Sequence, residues 1–134
     1  MEQNDVKARK HHDTLLESGK SSRQILDDYF AELEKFMIAN NFGGCPYSNT
    51  ARALAAKGES APNVTLKVKA HKEEMRRFFG CLCAKGFFHP KILSEAIFLI
   101  YSGATTESAN IGELGPVKAG KQAALSLCEA YSSV

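Results

Sequence analysis

Cys45 is followed directly by Pro46 in the run Gly43-Gly44-Cys45-Pro46-Tyr47-Ser48. A proline that opens a helix puts the preceding cysteine at the positive end of the helix dipole, which favours thiolate over thiol. That chemistry suits a redox- or electrophile-sensing thiol, and a buried thiol that only packs the turn would use the same residues. Cys81, Cys83 and Cys128 fall inside helical patterns, where burial raises a thiol pKa, so Cys45 is expected to be the most reactive of the four. Cys81 and Cys83 are two apart and point about 200° from each other on a helix. One metal ion cannot take both, and no zinc spacing results. His71 lies in an apolar helical stripe with Glu74 three residues on, but no second pair elsewhere completes a metal site. His71 therefore reads either as a core histidine or as a polar anchor for a ligand. His11 and His12 read as solvated. No catalytic residue, metal or cofactor is expected from these side chains.

The elements that must position these groups are helices. A weak amphipathic helix spans about 4–18, anchored by Val6, Ala8, Leu15 and Leu16 and stopped at Gly19. Ser21 and Gln24 form a capping-box pattern. Ile25, Leu26, Tyr29, Phe30, Leu33, Phe36 and Met37 then recur at i, i+3, i+4 and i+7, ending near Asn40. A short helix is expected over about 47–57, a long one over about 62–85 and another over about 90–109. A last helix follows over about 116–132, with its stops at glycines and its starts at prolines. The 90–109 segment is apolar nearly all round and is expected to be buried on both sides. No segment alternates with strand period. The expectation is an all-α bundle of six helices in one domain over residues 1–134, with 1–19 peripheral.

The chain has 134 residues, 17 of them Lys or Arg and 15 Asp or Glu, for a net charge of +2. That balance argues against a dedicated nucleic-acid binder, whose basic excess would show in the composition. A hydrophobic fraction of 44% excludes a disordered chain. The most apolar stretch, Ile92 to Thr106, is too short to cross a bilayer. The polar N-terminus gives no signal peptide, and reduced thiols in a cytoplasmic protein are the expectation.

Aromatic and methionine side chains gather on three middle helices. Tyr29, Phe30, Leu33 and Met37 lie on the first, Met75, Phe78 and Phe79 on the second, Phe98 and Tyr101 on the third. An apolar pocket with a few polar groups is how small-molecule sites are built, and Asn49, His71, Tyr29 and Tyr101 would supply the polar groups. The same residues also suffice to fill an ordinary core.

The run FGGCPYSNTARAL, from Phe42 to Leu54, lies between the 25–37 helix and the long 62–85 helix. With that helix order it resembles the C-terminal ligand-binding domain of TetR/AcrR-type transcriptional regulators. The resemblance implies an effector-sensing and dimerisation domain, a repressor part with a small apolar or aromatic effector held by the middle helices. It implies a homodimer joined through the last two helices, over 90–132. The seam expected there comprises Ile97, Ile100 and Ala104 with Val117, Gly120, Ala124, Leu127, Cys128 and Tyr131, a pattern that an ordinary monomeric core would also explain. Operator DNA would be reached only through an N-terminal helix-turn-helix that this chain lacks.

Two other classes are compatible with parts of the sequence. Cys45-Pro46-Tyr47-Ser48 also resembles the glutaredoxin motif, which implies a thiol-dependent oxidoreductase and requires β-strands around it. A helical protein-interaction module, with an aromatic groove for a partner helix, requires none.

Overall fold

The structure is a computed structural model that describes residues 2–43, 58 and 62–132. Among these residues the fold is all-helical, with five helices and no strand: α1 (Glu2–Leu16), α2 (Ser22–Ala39), α3 (Pro62–Cys83), α4 (Pro90–Ile111) and α5 (Gly115–Ala130). The helix expected over 47–57 lies outside the described residues, as do Cys45 and Asn49. No described helix is long and apolar enough to cross a membrane.

Local chemistry explains most of the boundaries. Ser21 caps α2 by accepting a hydrogen bond from the Gln24 amide at 3.2 Å. Only half of the expected capping box forms, because the Gln24 side chain turns forward and donates to Asp28 instead. Gly19, Gly86 and Gly112 take positive φ after α1, α3 and α4, the conformation that ends a helix without Cβ strain. At the start of α5, Leu114 makes no side-chain cap. The fully buried Ser108 hydroxyl on α4 does that work from outside, accepting from the Val117 amide at 3.2 Å. A buried serine is thereby satisfied and two helices are fixed end to end.

The core draws on one face of each of α2, α3, α4 and α5. Ile25, Leu26, Tyr29, Phe30, Leu33 and Met37 of α2 meet Met75, Phe78, Phe79 and Leu82 of α3, with Leu93 and Ile97 of α4 and Val117 and Ala124 of α5. Each fully buried phenylalanine contributes roughly 2–3 kcal/mol of transfer free energy. Ion pairs stitch the rims, Arg76 to Glu95 between α3 and α4 and Lys121 to Asp27 between α5 and α2.

Two expectations about α4 and α5 change. The residues assigned to an intersubunit seam are instead largely the packing between α4 and α5 of one chain. Ile97, Val117 and Ala124 are completely buried, Ala104 and Cys128 nearly so, and Ile100, Leu127 and Tyr131 pack against the same core. Small residues there let two helices of the same chain approach closely. A Cβ placed on Gly120 would lie 3.0 Å from the Ala104 Cβ and 3.3 Å from the Ile100 side chain. Nor is α4 covered on both sides within the chain, since Ile92 and Leu99 are 60% and 66% exposed.

Gly120→Ala should therefore destabilise the fold by about 1–2 kcal/mol in urea unfolding, because the Ala104 methyl cannot retreat without moving backbone. Gly80→Ala is the control: its Cβ would meet nothing within 4 Å, so helix propensity should make it neutral or stabilising by up to ~1 kcal/mol. Equal effects at the two glycines would contradict the close α4–α5 approach.

Candidate functional site

The side chains that combine burial, polarity and perturbed ionisation meet where α1 crosses α2 and α3. His12, on the polar-looking first helix, is only 4% exposed and packs its ring on Phe78 with centroids 4.3 Å apart. Both ring nitrogens are engaged: Nδ1 lies 2.7 Å from the Glu74 Oε2 and Nε2 lies 2.8 Å from the Tyr29 hydroxyl. An ionised carboxylate only accepts, so Nδ1 carries the hydrogen and donates to Glu74. In the neutral ring Nε2 then accepts from the Tyr29 O–H. Tyr29 in turn packs its ring beside Tyr101 of α4, with centroids 5.1 Å apart, and the two hydroxyls influence each other's ionisation. At the other end Arg77 grips Glu74 with two bonds, Nε to Oε1 at 2.7 Å and one terminal nitrogen to Oε2 at 2.8 Å, and reaches Asp13 at 3.0 Å. The chain Tyr29–His12–Glu74–Arg77–Asp13 thus ties α1, α2 and α3 together.

Electrostatics follow from that arrangement. Burial lowers the His12 pKa from its ordinary 6.5, and the Glu74 hydrogen bond only partly restores it. Burial also pushes the Glu74 carboxyl up, but the hydrogen bonds from Arg77 and His12 outweigh it and hold the group below the usual carboxylate range. Burial drives both tyrosine hydroxyls well above their ordinary values, so they are donors at every physiological pH.

Around this polar thread the aromatic side chains expected to line a ligand site do come together. Tyr29 touches Phe78, Phe79 and Tyr101 with centroids 4.7, 5.8 and 5.1 Å apart, and Phe30 meets Tyr101 edge-on at 5.5 Å. These are the separations of well-packed aromatic clusters. Leu33, Met37 and Met75 are buried beside them, and Phe98 packs at the edge of the core. The Tyr29 hydroxyl expected to orient a ligand is already engaged with His12, and Tyr101 packs against the Tyr29 ring.

His71 is half-buried on α3 and does not join the cluster's hydrogen-bonded thread. The position falls to His12, which had read as a solvated residue. Its neighbour His11 is the exposed one, bonded to Glu32 at 2.8 Å. Sequence periodicity gave no signal for His12, because α1 carries too few apolar residues to define an inner face; Tyr29, a hydroxyl in the middle of an apolar stripe, was the clue that a polar partner must come from elsewhere.

Of the cysteines described, Cys81 is exposed, contrary to the buried position expected, with the Arg77 guanidinium 3.9 Å from its sulfur. Cys83 and Cys128 are buried; burial pushes the Cys83 thiol up to about 12 and raises that of Cys128. Among the described residues, no group of three or more His, Cys, Asp or Glu side chains gathers to hold a metal ion. Comparison with protein-family models, curated proteins and solved structures returns no match.

Replacing His12 by Ala removes the ring stacked on Phe78 and leaves the Tyr29 hydroxyl and one Glu74 oxygen without their partners. Chemical denaturation should show a loss of about 2–4 kcal/mol, while His11→Ala, at an exposed hydrogen bond to Glu32, should cost less than ~1 kcal/mol. Equal small losses at both positions would mean that the buried contacts contribute nothing.

Proposed function

We propose that this chain is the effector-sensing and dimerisation part of a cytoplasmic TetR/AcrR-like transcriptional regulator, binding a small, mainly apolar or aromatic molecule. The observation that supports the reading best is the convergence of three aromatic helix faces on a short set of buried hydrogen-bonding groups. Phe30, Phe78 and Phe79 supply apolar surface, while Tyr29, Tyr101 and His12 supply direction. Such a composition, apolar with a few placed polar groups and perturbed ionisation, is that of a small-molecule site. Because the Tyr29 hydroxyl and the imidazole are satisfied internally, a ligand reaching them must exchange for one of these partners, which favours a molecule carrying a single donor or acceptor on an apolar body. Met37 and Met75 beside the cluster can adapt to its shape.

For dimerisation, the surface that supports the reading is the exposed face of α4, with Ile92 and Leu99. Gly103 on α4 and Ala119 and Ala123 on α5 are exposed small residues that would permit close approach. This replaces the seam residues that the chain uses for its own core. Operator DNA would be read by a helix-turn-helix outside this chain. The glutaredoxin reading has no support in a fold without strands among the described residues; a helical interaction module remains the alternative that the exposed Ile92–Leu99 face also fits.

A panel of small aromatic molecules should contain one that raises thermal stability, with about 2.7 kcal/mol of stabilisation at a hundredfold excess over its dissociation constant. Tyr101→Phe should weaken that ligand's effect. Sedimentation should show a dimer that Leu99→Glu converts to monomer. A monomeric wild type with no ligand-induced shift would remove this reading and leave the interaction module.

A further inference from the structure

α1 is held down differently from the other helices. Its one fully buried side chain among the described residues is the imidazole of His12, while Val6 is two-thirds exposed and Leu15 and Leu16 pack only at the core's edge. The remaining ties are an ion pair, Asp13 to Arg77, and an exposed hydrogen bond, His11 to Glu32. Yet this polar helix covers the aromatic cluster, since His12 lies directly on Phe78 and Tyr29.

We propose that α1 is a strap over the aromatic cluster whose seating is switched by protonation at the His12–Glu74 contact: docked at neutral pH and released as the solution acidifies. The inference concerns how α1 is held and does not depend on whether the cluster binds a small molecule.

The geometry gives the reason. In the docked state His12 is neutral, donating through Nδ1 to Glu74 and accepting through Nε2 from Tyr29. A proton added at Nε2 turns an acceptor into a donor facing a hydroxyl that is already donating to it. Tyr29 must then turn its hydrogen away from His12. The new cation also enters a site closed to water. Glu74 offers little fresh counter-charge, because Arg77 already holds both of its oxygens. From α1 and α3, His11 and Arg77 oppose the added charge; Asp13 and Glu32, the remaining acidic groups nearby, are engaged by Arg77 and His11.

Both titrations act in the same direction. The His12 pKa is lowered in the fold, so its contribution is complete above the ordinary 6.5 and is lost as pH falls through the lowered value. The Glu74 pKa is lowered too, so its contribution is complete above the ordinary 4.5 and fades further into acid. An open groove of about 390 Å³ between α1 and α3, lined by Val6, Arg9, Ala70, Glu73, Glu74 and Arg77, gives solvent a route to the carboxylate.

Amide hydrogen exchange followed by mass spectrometry on the whole chain tests this, with protection corrected for the intrinsic pH dependence of exchange. Between about pH 7.5 and about pH 5.5, protection in residues 6–16 should fall severalfold while that in α4 and α5 stays constant. His12→Gln, whose amide still offers a donor and an acceptor but cannot titrate, should show pH-independent α1 protection, and His11→Gln should respond like the wild type. Three results would each overturn the proposal: constant α1 protection in the wild type, an equal loss throughout the molecule, or a pH response that survives His12→Gln.

Discussion

A buried imidazole has two nitrogens to satisfy, and the way His12 satisfies them organises this bundle. One nitrogen needs an acceptor and the other a donor; Glu74 and Tyr29 provide them from different helices. Because Glu74 must stay ionised next to a buried ring, Arg77 has to hold it, and because Arg77 carries spare donors it returns to Asp13 on the first helix. Each element of the thread is required by the one before it. Left half-satisfied, such a network costs more than an apolar core would, so α1, α2 and α3 must keep the positions that close it.

That constraint separates two kinds of helix packing in one small domain. The α4–α5 pair depends on apolar contact and close approach at Gly120 and Ala104, interactions that acid and salt barely touch. The first helix depends on hydrogen bonds and charge. Elements that open at low free energy are those with few buried apolar contacts, and α1 fits that description while covering the aromatic residues with the strongest claim to a binding role. Under the proposed function, the part of the molecule nearest the candidate site is thus also its least firmly seated part.

Periodicity made α2, α3 and α5 legible because each carries an apolar stripe with polar residues beside it, α4 stood out as a nearly all-apolar run, and glycine and proline marked their ends to within two residues. The aromatic cluster was legible for the same reason. His12 was not, because a histidine next to another histidine on a charged helix has no neighbours in sequence that reveal its burial; the residues that bury it, Tyr29 and Phe78, lie 17 and 66 positions away. The seam residues were misplaced for a related cause. Periodicity says that Ile97, Ala104 and Ala124 face something apolar, and does not say whether that surface belongs to the same chain or to another.

The protonation state of His12 tests the account most directly. Nitrogen-15 spectra of the imidazole, titrated from about pH 8 to about pH 5, report which nitrogen carries the hydrogen and where the ring charges. The arrangement described here requires a neutral ring protonated at Nδ1 and bare at Nε2 near neutrality, with a midpoint below the ordinary 6.5. A ring protonated at Nε2 alone, or one still charged at neutral pH, would contradict it.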